Sequence, residues 1–121
     1  MFNKIAFVSY SISDMKRSVD FYQSTLGFQL LFQVDEWAEF MIGDQRFAIR
    51  QTCEAIQQNA AMLHLETDNI EDAIARLQAQ GVAIHQTVKS HDYGKLAAFL
   101  DPDGNLIGLY EAPRPTGSQS K

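Results

Sequence analysis

The strongest constraint on the fold of this chain is that it states the same pattern twice. In each half a strand-like stretch leads into an amphipathic helix, a glycine stops the helix, and three further strand-like stretches follow. Gly27 follows Asp14 by 13 residues, and Gly81 follows Asp68 by the same 13. Each half alone would leave a four-stranded sheet with open edges and one uncovered face, so the halves must pair, within one chain or between chains. The expectation is an α+β fold of two βαβββ modules with mixed sheets, forming one curved, barrel-like cavity.

The details follow from local chemistry. Residues 4–10 are rich in β-branched and aromatic side chains and read as the first strand. Ser13 or Asp14 caps the first helix, whose apolar face is Met15, Val19, Tyr22 and Leu26. Strands are expected at 28–34, 37–42 and 46–51, the last two joined by a turn at Gly43-Asp44-Gln45. Residues 53–60 lack apolar periodicity and read as a linker between module one (1–52) and module two (61–112). In module two, 62–67 alternates as a strand. Asp68 then caps a helix, with Glu71 placed to close a capping box and Ile70, Ala73, Ile74 and Leu77 on its apolar face. Strands follow at 82–88, 95–100 and 106–111, the last pair joined by Asp101-Pro102-Asp103-Gly104-Asn105. Residues 113–121, rich in Pro, Ser and Gly, read as a disordered tail.

Composition narrows the function classes. With 121 residues, 45% of them hydrophobic, there is material for one core and one domain, 1–112. Ten basic against 15 acidic residues, scattered along the chain, argue against a nucleic-acid partner. No apolar run reaches the roughly 20 residues a membrane span needs, and the polar start lacks a signal-peptide core, so a cytoplasmic protein is expected. The single Cys53 is expected as a buried or half-buried structural thiol.

Alternation along the strands separates a helix-packed face from an open one. Ala6/Val8, Phe47/Ile49, Leu63/Leu65 and Ile107/Leu109 are purely apolar and are assigned to the helices. The opposite sets are Ile5/Phe7/Ser9, Arg46/Ala48/Arg50, Met62/His64/Glu66 and Leu106/Gly108/Tyr110. Their mixture of apolar and polar side chains suits a ligand cavity.

The run Ser13-Asp14-Met15-Lys16-Arg17-Ser18-Val19-Asp20-Phe21-Tyr22, followed by Leu26-Gly27-Phe28, carries a family likeness. So does the late segment Phe99-Leu100-Asp101-Pro102-Asp103-Gly104-Asn105-Leu106-Ile107-Gly108-Leu109-Tyr110-Glu111. On these residues the chain resembles, over about 4–112, the vicinal oxygen chelate superfamily. That superfamily includes glyoxalase I, extradiol dioxygenases, fosfomycin resistance enzymes and bleomycin resistance proteins. The resemblance implies one divalent ion in the metal-dependent members, held by His, Glu or Gln from the first and last strands of each half. Carried onto this sequence, the four ligand positions fall on Phe7, Ala48, Met62 and Gly108. None is a ligand such an ion accepts, so no metal ligand and no cofactor are expected. The resemblance also implies a homodimer.

Two functions remain open. One is a metal-free binding protein for a small amphipathic or aromatic compound, of the bleomycin resistance type. Its candidate ligand-binding residues are Phe7, Ser9, Trp37, Arg46, Ala48, Arg50, Met62, His64, Glu66, Gly108 and Tyr110. The other is a lyase, isomerase or dioxygenase that uses a shifted divalent-metal site, or His64 and Glu66 directly, as the catalytic pair. His64 is also suited to a structural bond with Glu66 or an arginine. Arg46 and Arg50 suit either a ligand carboxylate or phosphate, or pairing with Glu66 across the sheet. Trp37 with nearby Phe40 is expected at the cavity mouth, Tyr93-Gly94 at its entrance, and Phe21 and Tyr22 in the core.

Overall fold

A computed structural model of the chain describes residues 5–53 and 62–113. The chain divides into two compact units. The first contains the described residues up to Cys53 together with Asp101–Asn105; the second contains 62–100 and 106–113.

In the first unit the elements are β1 (Phe7–Ile12), α1 (Met15–Asp20) continued by a π turn (Phe21–Thr25), β2 (Gln29–Gln33), β3 (Trp37–Ile42) and β4 (Gln45–Gln51). They form a mixed four-stranded sheet in the order β1-β4-β3-β2, with β1 parallel to β4 and the remaining pairs antiparallel. In the second unit β5 (Leu63–Glu66), α2 (Ile70–Ala79), β6 (Ile84–His91), β7 (Gly94–Leu100) and β8 (Leu106–Glu111) repeat the plan. Their order is β5-β8-β7-β6, with β5 parallel to β8. The expected α+β architecture of two βαβββ sheets is therefore present.

Several local expectations are corrected. The first strand is displaced toward Ile12, so Ala6 is exposed and the helix-packed side chains of β1 are Val8, Tyr10 and Ile12, with Tyr10 and Ile12 buried. Gln45 pairs with Ile42 inside the sheet, leaving Gly43-Asp44 as a two-residue turn with Gly43 at φ 57°. Cys53 is exposed. The expected linker lies, beyond Cys53, outside the described residues, as does the expected tail beyond Pro113.

The most informative correction concerns the second helix cap. Asn69, not Asp68, adopts the extended cap conformation and accepts the Asp72 N–H at 3.0 Å. With Asn69 as the cap, Glu71 stands at the second helical position, one short of the capping-box position, and it pairs with Lys95 at 2.9 Å. Asp14 caps α1 as expected, accepting the Arg17 N–H at 3.2 Å. The two halves confirm this matching through a second shared contact. The first helical N–H, at Met15 and at Ile70, is accepted by the side chain of the last residue of the fourth strand of its own half. These acceptors are Gln51 at 2.9 Å and Glu111 at 2.8 Å. Cap to glycine is thus one residue longer in the first half. The π turn at Phe21–Thr25 accommodates that extra residue, because a π turn takes one residue more than the α-helix it interrupts.

The core of the first unit is aromatic. Tyr22, Phe28, Phe40 and Phe47 lie with ring centroids 5.0–6.3 Å apart, and Tyr10 meets Phe47 edge-on at 5.5 Å. The core of the second is mainly aliphatic: Ile70, Ile74 and Leu77 from α2, with Ala97, Phe99, Ile107 and Leu109 from the sheet.

The Tyr22 hydroxyl cannot be left bare among these rings, and it donates to Asp101 Oδ2 at 2.7 Å. Asp101 also accepts from Asn105 Nδ2 and from the backbone N–H groups of Asp103 and Asn105. Burial first, and then the Asp101 carboxylate, push the Tyr22 phenol far above its ordinary value. Tyr22→Phe is expected to lower stability by about 1.5–3 kcal/mol, measured by denaturant unfolding, because a charge-assisted bond is lost. A folded-state pKa raised above the unfolded one means this contribution is complete below pH about 10 and is lost as pH rises past it. Chemical unfolding across pH 8–11 should therefore show a steeper alkaline decline in the wild type than in Tyr22→Phe. Ser18 makes the opposite case: it is fully buried in α1, and its Oγ has no hydrogen-bond partner among the described residues. Ser18→Ala should raise stability by about 1 kcal/mol in the same unfolding assay.

Candidate functional site

Strand register places the expected site residues on the sheet faces turned away from the helices. On the first unit, β1 against β4 pairs Phe7 with Arg46, Ser9 with Ala48 and Ser11 with Arg50. β3 against β4 pairs Trp37 with Arg50, Glu39 with Ala48 and Met41 with Arg46. One face therefore carries Phe7, Ser9, Trp37, Glu39, Arg46, Ala48 and Arg50. Phe7 and Trp37 meet edge-to-face at 5.6 Å, and Phe7 is 43% exposed.

Glu39 organises this face, and we did not single it out from the sequence, although Trp37 and Glu39 stand two apart on one strand. It is buried, with both carboxylate oxygens engaged. Oε2 accepts the Trp37 Nε1–H at 2.8 Å, and Oε1 faces Arg46 Nη1 at 3.5 Å. The partner of Arg46 is thus Glu39, where the sequence had suggested Glu66. Arg50 is exposed and makes no ion pair among the described residues. Phe40, expected beside Trp37 at a cavity mouth, alternates to the other face and is fully buried against Tyr22, Phe28 and Phe47.

On the second unit, β5 against β8 pairs His64 with Gly108 and Glu66 with Tyr110. Met62 lies just before β5. The His64 ring lies directly over Gly108: a side-chain carbon added there would come within 2.7 Å of both Cδ2 and Nε2. The imidazole thus fills the space into which a residue at 108 would project, which explains glycine at this position. His64 Nδ1 sits 3.3 Å from the Met62 carbonyl. A carbonyl only accepts, so this contact selects the tautomer protonated at Nδ1 and leaves Nε2 as the free acceptor.

The expected pairing of His64 with Glu66 is not made; both are exposed, and no hydrogen bond joins them among the described residues. Tyr110, expected as a ligand contact, donates its hydroxyl to the Tyr93 carbonyl at 2.8 Å. Gly94 leaves room for that ring, since a side chain there would come within 2.6 Å of Tyr110 Cε1 and of the Glu111 carbonyl. Tyr93 is exposed and stacks on His91 with centroids 4.8 Å apart.

An open depression of about 400 Å³ on the second unit is lined by Ser90, His91, Gly94, Lys95, Glu111 and the backbone beyond it. Its charged members serve the fold, Lys95 in the pair with Glu71 and Glu111 as the cap of α2.

The matched caps also relate, between the halves, the positions to which the family resemblance carries metal ligands. Met62 precedes Asn69 by the seven residues that separate Phe7 from Asp14, and the capping residues Gln51 and Glu111 each follow Ala48 and Gly108 by three. Phe7 and Met62 are thus equivalent positions of the two halves, and so are Ala48 and Gly108. A phenyl ring, a methyl group, a thioether and a hydrogen do not fit a divalent ion that takes imidazole or oxygen donors. Among the described residues, no group of three or more His, Cys, Asp or Glu side chains is placed to hold an ion elsewhere.

Known proteins share this plan. TnmS3, an antibiotic binding protein from Streptomyces sp. CB03234, superimposes with a TM-score of 0.79 at 30% identity over 93% of this chain and 98% of that one. The fosfomycin resistance protein FosX from Listeria monocytogenes superimposes at 0.80 with 14% identity over 93% and 96%, a likeness of fold alone. Catechol-2,3-dioxygenase of Bacillus subtilis is 27% identical over 97% of this chain, which spans 45% of that enzyme's length. The sequence profile of the Glyoxalase/Bleomycin resistance protein/Dioxygenase superfamily matches residues 4–109, and the chain belongs to that superfamily.

Proposed function

We propose that this protein binds and sequesters a small organic molecule without a metal ion. The observation that carries the reading is the chemistry at the four donor positions, Phe7, Ala48, Met62 and Gly108, with the His64 ring seated over the last of them. Of these, Phe7, 43% exposed, and the half-buried Met62 present apolar surface, which suits the body of an organic ligand. On the first unit's face Trp37 and Phe7 would supply contact area, and Ser9, Arg46 and Arg50 hydrogen bonds; the second unit's face, taken by itself, offers Met62 and His64. The similarity to an antibiotic binding protein supports the same class.

This reading includes a cytoplasmic homodimer. The dimer is supported by the exposed apolar surface of the edge strand β2 and the residues beside it, where Leu31, Phe32 and Val34 are 37%, 46% and 56% exposed.

The similarity to a catechol dioxygenase favours a second reading, an enzyme that uses a shifted divalent-metal site or His64 and Glu66 directly. The two part on metal content and turnover. Native mass spectrometry of the purified protein should find no stoichiometric divalent ion; one ion per chain moves the enzyme to the front.

A panel of planar aromatic compounds, offered in excess chelator, should raise the melting temperature saturably for at least one member. That member should quench Trp37, the chain's single tryptophan. Trp37→Leu should then weaken its binding roughly tenfold. A panel without any stabilising member, or binding restored only by a divalent ion, would overturn the proposal.

A further inference from the structure

The two units carry the same backbone plan but opposite surface chemistry at equivalent positions. Matching β4 to β8 through Ala48 and Gly108 makes Leu106 the equivalent of Arg46 and Tyr110 that of Arg50. Matching β3 to β7 through their registers with those strands makes Leu96 the equivalent of Trp37 and Ala98 that of Glu39. The face of the first unit is charged and aromatic where that of the second is mostly apolar.

Charge on the first face is not balanced locally. Glu39 is committed twice over, to the indole N–H of Trp37 and to Arg46, and it is buried, so its charge is met within the face. Arg50 stands directly across from Trp37 in the register, exposed and without an ion pair among the described residues. A guanidinium beside an indole whose orientation is held by a buried carboxylate presents an aromatic platform and a bidentate anion donor side by side. The chain's net charge of −5 opposes anions at long range, but at physiological salt that field is screened beyond about 8 Å. At contact the Arg50 charge decides.

From this geometry we infer that the ligand class of the first unit's face is a planar aromatic compound bearing an acidic group. The ring packs against Trp37 and Phe7, and the carboxylate, sulfonate or phosphate engages Arg50. This inference rests on the binding function proposed above and adds to it the sign of the ligand's charge and the residue that reads it.

A matched trio tests it: naphthalene-2-carboxylate, naphthalene-2-carboxamide and naphthalen-2-ylmethylammonium, titrated calorimetrically into the full chain with chelator present. The carboxylate should bind at least tenfold tighter than the amide, and the ammonium more weakly than either. Arg50→Gln should cut the carboxylate's affinity at least tenfold and remove its preference over the amide, changing the amide's own affinity far less, and Arg50→Lys should fall between. Equal or tighter binding of the amide or the ammonium, a carboxylate preference that survives in Arg50→Gln, or no heat from any of the three would overturn the inference. A wider panel that still contains a ligand would then leave the metal-free binding function standing, so the two can fail separately.

Discussion

A buried carboxylate, Asp101, is the interaction on which the first unit's packing turns. An ionised group inside a protein costs several kcal/mol unless its lone pairs are met. Here all the donors are within reach: the Tyr22 hydroxyl and Asn105 Nδ2 on one oxygen, the backbone N–H groups of Asp103 and Asn105 on the other. Asn105 Nδ2 reaches on to the Ser11 carbonyl, so the turn is bonded both to the first helix and to β1. Arg17 and Ser13 hold Asp103 at the rim of the same cluster. Five residues encoded late in the chain thereby belong to the unit built by its first half. The aromatic core depends on this, because Tyr22 sits at its centre only while its hydroxyl has an acceptor.

That dependence explains what was legible in the sequence and what was not. The strands and both helices followed from periodicity, since β-branched alternation and a 3.6-residue apolar stripe leave few other structures. Asp101-Pro102-Asp103-Gly104-Asn105 was readable as a tight turn for the same local reason. Its reception of Tyr22, 79 residues away, was not, because nothing local distinguishes a core tyrosine from one with a buried partner. The misplaced second cap has a comparable cause. Asp68 and Asn69 are both good caps, and an equal spacing to glycine favoured the first. The π turn broke that equality, and it is a feature of backbone hydrogen bonding that side-chain patterns do not announce.

For the candidate site, alternation sorted Phe7, Ser9, Ala48, Arg50, His64 and Gly108 onto the correct faces, because period two is a property of the strand itself. It could not say which polar groups were already spent. Tyr110 looks available until Tyr93 is found to accept its hydroxyl, and Arg46 looks available until Glu39 is found beneath it. Phe40 was misplaced by reasoning from nearness to Trp37 instead of from parity. Glu39 was overlooked for a related reason: a lone glutamate in an apolar strand reads as a solvent-facing residue unless the indole two positions earlier is recognised as its partner.

Gly108 shows how such a site changes character. In an open strand a glycine is a poor choice, weakening the sheet without adding contacts. It is retained at no cost in packing only where something else fills the space, and the His64 ring does so. The two positions are therefore coupled. A carboxylate side chain at 108 would require His64 to swing aside and give up the contact at Met62 that fixes its tautomer. A coordinating side chain at 108 would thus take more than one substitution, because His64 must change with it. The apolar side chains at Phe7 and Met62 act in the same direction, since each adds surface that gains by covering an organic ring and nothing that gains by approaching a cation.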